Sequence, residues 1–507
     1  PYTMTGVNTS DKHIFNMNGG TIANNKVEKG VAGIDVFSGT FTMTGGSIEN
    51  NTSTEGCGGV GLRGDHAVAE ITGGNISGNT GRNGGGIRLE KGHLTMDGVS
   101  VSNNTVTANG GGGGVLLEGG MMELKNGTVS GNQTASGVGG GGILLKGGTL
   151  NMSGGNVTGN SSGTGGGIEA WGNSTIHITG GEVSDNTASS FGGGIYVHNA
   201  TAAANISGGT ISGNSSPWAG GIFIWDNGTV NISGKTLITE NKTTGEQGGG
   251  GINLFGGTLN ITGGTISKNE ARDGAGIDVS NGTATIENGV KITENKARRN
   301  GGGIQISGGT LAIDGATISG NSAEVNTGDG GGVLSLGGDL TIKNTTISDN
   351  IVGNRGGGLF IWNNGTVKIE KGTVITRNKA DRGGGIDVCD HPLTIDGTVI
   401  SENEASLGSG ISIWNSGEVT VTDTRIIGNK VVSQGTEAYA GAVSVWGNSD
   451  TESKFVMESG SIKDNTANGG RNAGISLLGA NSDGVAEIHG GEISGNTNES
   501  GEKQGIR

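Results

Sequence analysis

The stretch GGGIYVHNATAAANISGGTISGN, residues 192–214, decides the fold. It opens on Gly194-Ile195-Tyr196-Val197, where apolar and polar positions alternate, and closes on Thr210-Ile211-Ser212 and an asparagine. The same phrase returns as GGGINLFGGTLNITGGTISKN at 249–269, with a middle triplet Leu259-Asn260-Ile261, and as GGGIQISGGTLAIDGATISGN at 301–321. Alternation with period two is the strand signature, and paired Gly-Gly, Asn-Gly and Asp-Gly mark turns between strands. No stretch carries the 3.6-residue period of a helix.

The closing asparagine, three residues after an aliphatic one, recurs eighteen times between Asn25 and Asn496. Fifteen of the seventeen gaps are 25 to 29 residues, and the last two are 36 and 31. Strands this short cannot enclose a sandwich core. Wound one turn per repeat, they stack as parallel sheets around a narrow aliphatic interior, each turn resting on its neighbours. The fold expected is therefore all-β, a parallel β-helix of about 18 coils with three short strands per coil. The glycines ahead of the aliphatic residue suit tight turns and positive φ. The asparagine suits a left-handed turn position and an amide ladder running from coil to coil.

Composition agrees. The 507 residues include 112 glycines and only 3 prolines, and aromatics make up 3%. Several conventional cores would need more, so a single domain, residues 1–507, is expected. A net charge of −15 speaks against nucleic acid, whose binding needs clustered Lys and Arg. No apolar run is long enough to span a membrane, and the opening PYTMTGVNTS has no signal-peptide character. Cys57 and Cys389 are too far apart to imply a disulfide framework.

The phrases Gly192-Gly193-Gly194-Ile195 and Ile211 to Asn214 resemble the repeats of polymorphic outer-membrane proteins and autotransporter passengers, within the pectate-lyase-like superfamily. Here Gly mostly replaces the family's Ala, and Ile or Val its Phe. The resemblance implies a right-handed β-helix that is secreted or displayed on a bacterial surface, commonly as an adhesin, and it leaves polysaccharide-degrading enzymes open. The absence of obvious polar caps at either end suggests a piece of a longer surface protein. The insertions at 436–439 and 448–454 are expected to wall one end of a groove.

Function is sought in positions the repeat leaves free. The aliphatic residue ending each GGGI phrase and the residue two further on should face inward, and those one and three further on should face solvent. The outward columns hold ten of the seventeen aromatics: Phe37, Trp171, Trp225, Phe255, Trp362, Trp414 and Trp446 in one, Tyr196, Phe223 and Phe360 in the other. An exposed apolar stripe marks a binding surface, and flat rings suit the C–H faces of sugars. His198 lies in the same columns, between the Trp171 and Trp225 coils. The expected ligand is a host or environmental glycan, or a surface protein. The alternatives are a glycoside hydrolase or lyase acting in the same groove, and a passive stalk. For an enzyme the candidate acids are Asp226, Asp278, Asp387 and Asp390, with His391 beside the last. Asp278 falls in a polar patch with Ser280, Gln305 and Ser307, near Arg272, Asp273, Arg298, Arg299 and Asp329 in the preceding turns. Hydrolysis needs two carboxylates about 5 to 10 Å apart, which excludes pairing Asp278 with Asp387 four coils on. Cys389, in the outer column, is expected to be exposed. No metal-ligand spacing is present, so no cofactor is expected beyond an isolated calcium ion at an Asp-rich turn.

Overall fold

A computed structural model describes residues 2–4, 13–135, 137–324, 327–362, 365–432, 441–447, 451–468, 471–478, 484–499, 501–503 and 505–506. Residues 436–439 and 448–450 of the two expected insertions lie outside them. Among the described residues every strand pairing in the sheets is parallel, and no helix is long and apolar enough to cross a membrane. The chain forms a parallel β-helix of about 17 turns, because eighteen asparagines bound seventeen complete turns. It divides into two compact units, residues 1–260 and 261–507.

In the first unit a typical turn runs through Ile195–His198, Ala203–Ile206, Thr210–Ser212 and Ser215–Ser216. The first three are the strands the alternation predicts. The fourth was not expected, and it follows the asparagine directly. Ile195 pairs with Ile222 and Val197 with Ile224, so like residues stack on like. These aliphatics are fully buried. Each contributes on the order of 1.5–3 kcal/mol by leaving water. The second unit repeats the scheme, with Ile277 on Ile304 and Ile386 on Ile411.

The asparagines form the predicted ladder in both units, and all but the half-buried Asn25 are buried. Asn160 Nδ2 donates to Asn186 Oδ1 at 2.9 Å and to the Val129 carbonyl at 2.9 Å. Its Oδ1 accepts from the Asn132 backbone N–H and from Asn132 Nδ2, both at 2.9 Å. Every donor and acceptor of the amide is thereby used. The left-handed conformation, however, belongs to the residue before: Asp185 (φ 55°) precedes Asn186, and Gly213 (φ 63°) precedes Asn214. The bend must come one residue early for the amide to turn inward.

The three glycines also differ in their reasons. Gly192 has φ +59°, and a Cβ there would lie 2.8 Å from that of Tyr196. Gly194 has an ordinary φ, but a Cβ would lie 2.8 Å from the Gly221 carbonyl oxygen of the next turn. The first glycine folds the post-asparagine strand back over the residue that follows Ile195. The third lets turns approach one another.

Candidate functional site: one aromatic face, half of it covered

That fold-back overturns one expectation. The column one residue past the inward aliphatic points away from the core, yet it is roofed by the post-asparagine segment. Tyr196, Phe223 and Phe360 are buried, at 3%, 1% and 1% exposure. Phe191 lies 5.2 Å from Phe223, ring on ring at 8°, and 5.8 Å from Tyr196. Trp218 and Ala219 complete the roof. Tyr196 and Phe223 belong to one outer cluster and Phe360 to another, with Leu334 and Cys389, and none of the three is an exposed ligand platform. Period-two alternation reports which way a side chain points, but not what lies above it.

The column three residues past the aliphatic stays open in the first unit. Trp171, His198, Trp225 and Phe255 occupy it on successive turns. Trp171 and Trp225 are each 40% exposed and Phe255 39%, while His198 is half-buried. The His198 ring stacks on Trp171 (6.1 Å between centroids, 3°) and on Tyr196 (4.3 Å, 10°). Its Nε2 meets Glu169 Oε1 at 3.0 Å, and Thr164 Oγ1 donates to Glu169 Oε2 at 2.7 Å. Glu169 and the stack therefore fix the imidazole in the plane of the neighbouring rings. Phe37 is also exposed, under the Arg63 guanidinium, which is paired with Asp35. Asp226 is exposed and takes φ +50° beside Asn227 at +63°, so it shapes a turn. It has no place in a buried acid pair.

In the second unit the covered column runs Asp278, Gln305, Leu334, Phe360, Asp387, each paired with the next. The two aspartates are thus four turns apart, about 19 Å at strand spacing. Asp278 accepts from Ser280 Oγ and Gln305 Nε2, each at 3.2 Å, and burial pushes its carboxyl up to about 7. Asp387 is fully buried, and burial likewise pushes it up to about 7 against the pull of Arg355, the Trp414 bond and Arg382. Its Oδ1 accepts from Trp414 Nε1 at 2.9 Å, and its Oδ2 has no partner.

Asp390 and His391 do not join Asp387. Asp390 sits exposed at a turn (φ 51°), taking Asn415 Nδ2 at 2.6 Å, while His391 is buried with its Nε2 on the Gly365 carbonyl. Cys389, expected in the open, is buried with Leu334, Phe360, Leu336 and Trp414 around it, and burial pushes its thiol up to about 12. Trp362 and Trp446 remain open (42% and 40%), and Trp414 is half-buried.

Sequence reasoning missed the roof. Phe191, Trp218, Arg355 and Arg382 each stand four residues ahead of the inward aliphatic, at Ile195, Ile222, Leu359 and Ile386. Bulky or charged residues recurring at that fixed offset were the available signal. Arg355 lies 4.1 Å from the Trp414 ring centroid and 5.8 Å from that of Phe360, and Arg382 lies 5.2 Å from Trp446. Among the described residues no three His, Cys, Asp or Glu come together as a metal site.

A β-helix with this face is a scaffold class that can support recognition or catalysis on its sheets. Residues 58–237, 141–323 and 314–456 each match the family described as right-handed β-helix region, and the chain belongs to that family. No curated protein and no solved structure matches it.

Proposed function

We propose that this chain is a carbohydrate-binding β-helix of the adhesin kind, secreted or held on a bacterial surface. The observation that carries the reading is the row Trp171, His198, Trp225 and Phe255, on successive turns of an otherwise roofed face. Trp171 and Trp225 are two turns apart, about 10 Å at strand spacing, a step that suits alternate units of a glycan chain. Aromatic faces take the C–H surfaces of sugars, and the surrounding amides and hydroxyls take their hydroxyl groups. The repeat's likeness to autotransporter passengers supports a surface location, and a net charge of −15 favours glycan or protein over nucleic acid as partner. The reading requires no cofactor.

Cleavage is the second reading, favoured by the buried carboxyl of Asp387, which burial pushes up to about 7. It lacks a catalytic partner in Asp278, four turns away, or in Asp390, which faces solvent. A glycan array read together with reducing-sugar release decides between them. Trp225→Ala is expected to weaken capture at least tenfold with no product formed. Product formation abolished by Asp387→Asn would overturn the binding-only reading.

A further inference from the structure

In each unit there are arginines held by carboxylates. Arg63 is paired with Asp35, Arg88 with Glu90 and Glu118, and Arg299 with Asp273. Arg355 and Arg382 are different. Among the described residues neither has an ion-pair partner, and the Nε of Arg355 is buried without a hydrogen bond. They are neighbours in the roof, where Arg355 bridges to Arg382 through the backbone. Each stacks on a tryptophan two turns further on, Arg355 on Trp414 and Arg382 on Trp446. Those tryptophans are themselves paired neighbours. Stacking occupies the flat faces of a guanidinium and leaves its in-plane N–H groups free, the fork that takes carboxylate and sulfate oxygens.

Arg382, Trp414, Asn415 and Trp446 line an open cleft of about 210 Å³. Asn415 Nδ2 donates to Asp390, and of the lining side chains Arg382 alone carries a charge, with Arg355 beside it in the roof. Asp387 feels the charge of both arginines, but one of its oxygens is taken by Trp414 and the other meets no donor. Asp329 accepts from Asn354 Nδ2 at 2.9 Å and from the Arg355 backbone N–H, and it feels the Arg355 charge without forming an ion pair with the guanidinium. Two cations thus stand over tryptophan rings in a strongly acidic chain, and among the described residues no carboxylate is ion-paired with either guanidinium.

We propose that Arg355 and Arg382, stacked on Trp414 and Trp446, form a subsite for an anionic substituent on a sugar, a carboxylate or a sulfate ester. The proposal rests on the carbohydrate reading above and adds the charge of the ligand to it. Among the described residues of the first unit the open row carries no guanidinium at its rings beyond the paired Arg63, so neutral sugar faces suffice there.

The test is capture by the full chain on an array that carries neutral, carboxylated and sulfated versions of the same glycan backbones. The expected result is preference for charged versions, cut about tenfold or more in Arg382→Gln and in Arg355→Gln/Arg382→Gln, with capture of neutral glycans unchanged. Melting temperatures of the variants confirm that they remain folded. Preference should fall with added salt. It should disappear below the carboxylate's own pKa for uronates while persisting for sulfates, which separates the two sources. Equal capture of charged and neutral glycans, with Trp225→Ala still abolishing it, overturns this proposal and leaves the earlier one standing. A charge preference that survives both glutamine substitutions also overturns it. Capture of no glycan at all overturns both.

Discussion

Asp278 and Asp387 occupy the same position of their repeats, and both lose most of their hydration to the folded-back roof. A carboxyl held near 7 binds its proton more tightly in the folded chain than in the unfolded one. Its contribution to stability is complete below the ordinary carboxylate range and is lost as the pH rises through about 7. Between those limits each group adds a slope of up to about 1.4 kcal/mol per pH unit. The melting temperature should therefore fall between about pH 4 and pH 7.5. Asp387→Asn should flatten that fall and raise stability above pH 7, since an amide keeps an acceptor for Trp414 Nε1 and carries no charge to desolvate. Unchanged pH dependence in the double variant Asp278→Asn/Asp387→Asn would show that both carboxyls ionise freely in the folded chain.

The turn is the unit at the element scale, and its polar keystone is the asparagine. Asn160 satisfies four groups, three on the preceding turn and one on the following turn. Asn160→Ala would strand the Asn132 backbone N–H, the Val129 carbonyl and two amide atoms in a buried place. Unsatisfied buried groups cost about 1–3 kcal/mol each, so a loss of roughly 3 kcal/mol or more is expected from denaturant unfolding. The roof strands are a second element. They were illegible as strands because their length varies, two residues in Ser215–Ser216 and five in Thr187–Phe191, and few of their residues are apolar. Their effect is large all the same, since they decide that Tyr196 is core while Trp225 is surface.

For the whole molecule, repetition itself is the prediction. Interfaces between turns are equivalent, so stability depends on nearest neighbours, and a turn is a removable module. Deleting residues 195–221 joins Gly194 to Ile222, the register partner of Ile195. The shortened chain should keep its β circular dichroism and a cooperative transition. Deleting only the first half of that span would put core positions out of register, and it should unfold the chain or expose apolar surface to a dye.

The amino-acid sequence by itself determined the coil. Its inward aliphatics, asparagine ladder and close-approach glycines are dictated by neighbours a fixed number of residues away, so a single repeat contains the information. It also located the tryptophans that keep an exposed edge, although roof residues reach their column and bury Cys389 within it. The tertiary structure alone decided which outward residues are covered, that Cys389 and Asp387 are buried, and that Arg355 and Arg382 lie over Trp414 and Trp446. Those outcomes depend on where a polar, patternless segment folds back and on contacts between side chains two turns apart. Local alternation carries no term for either.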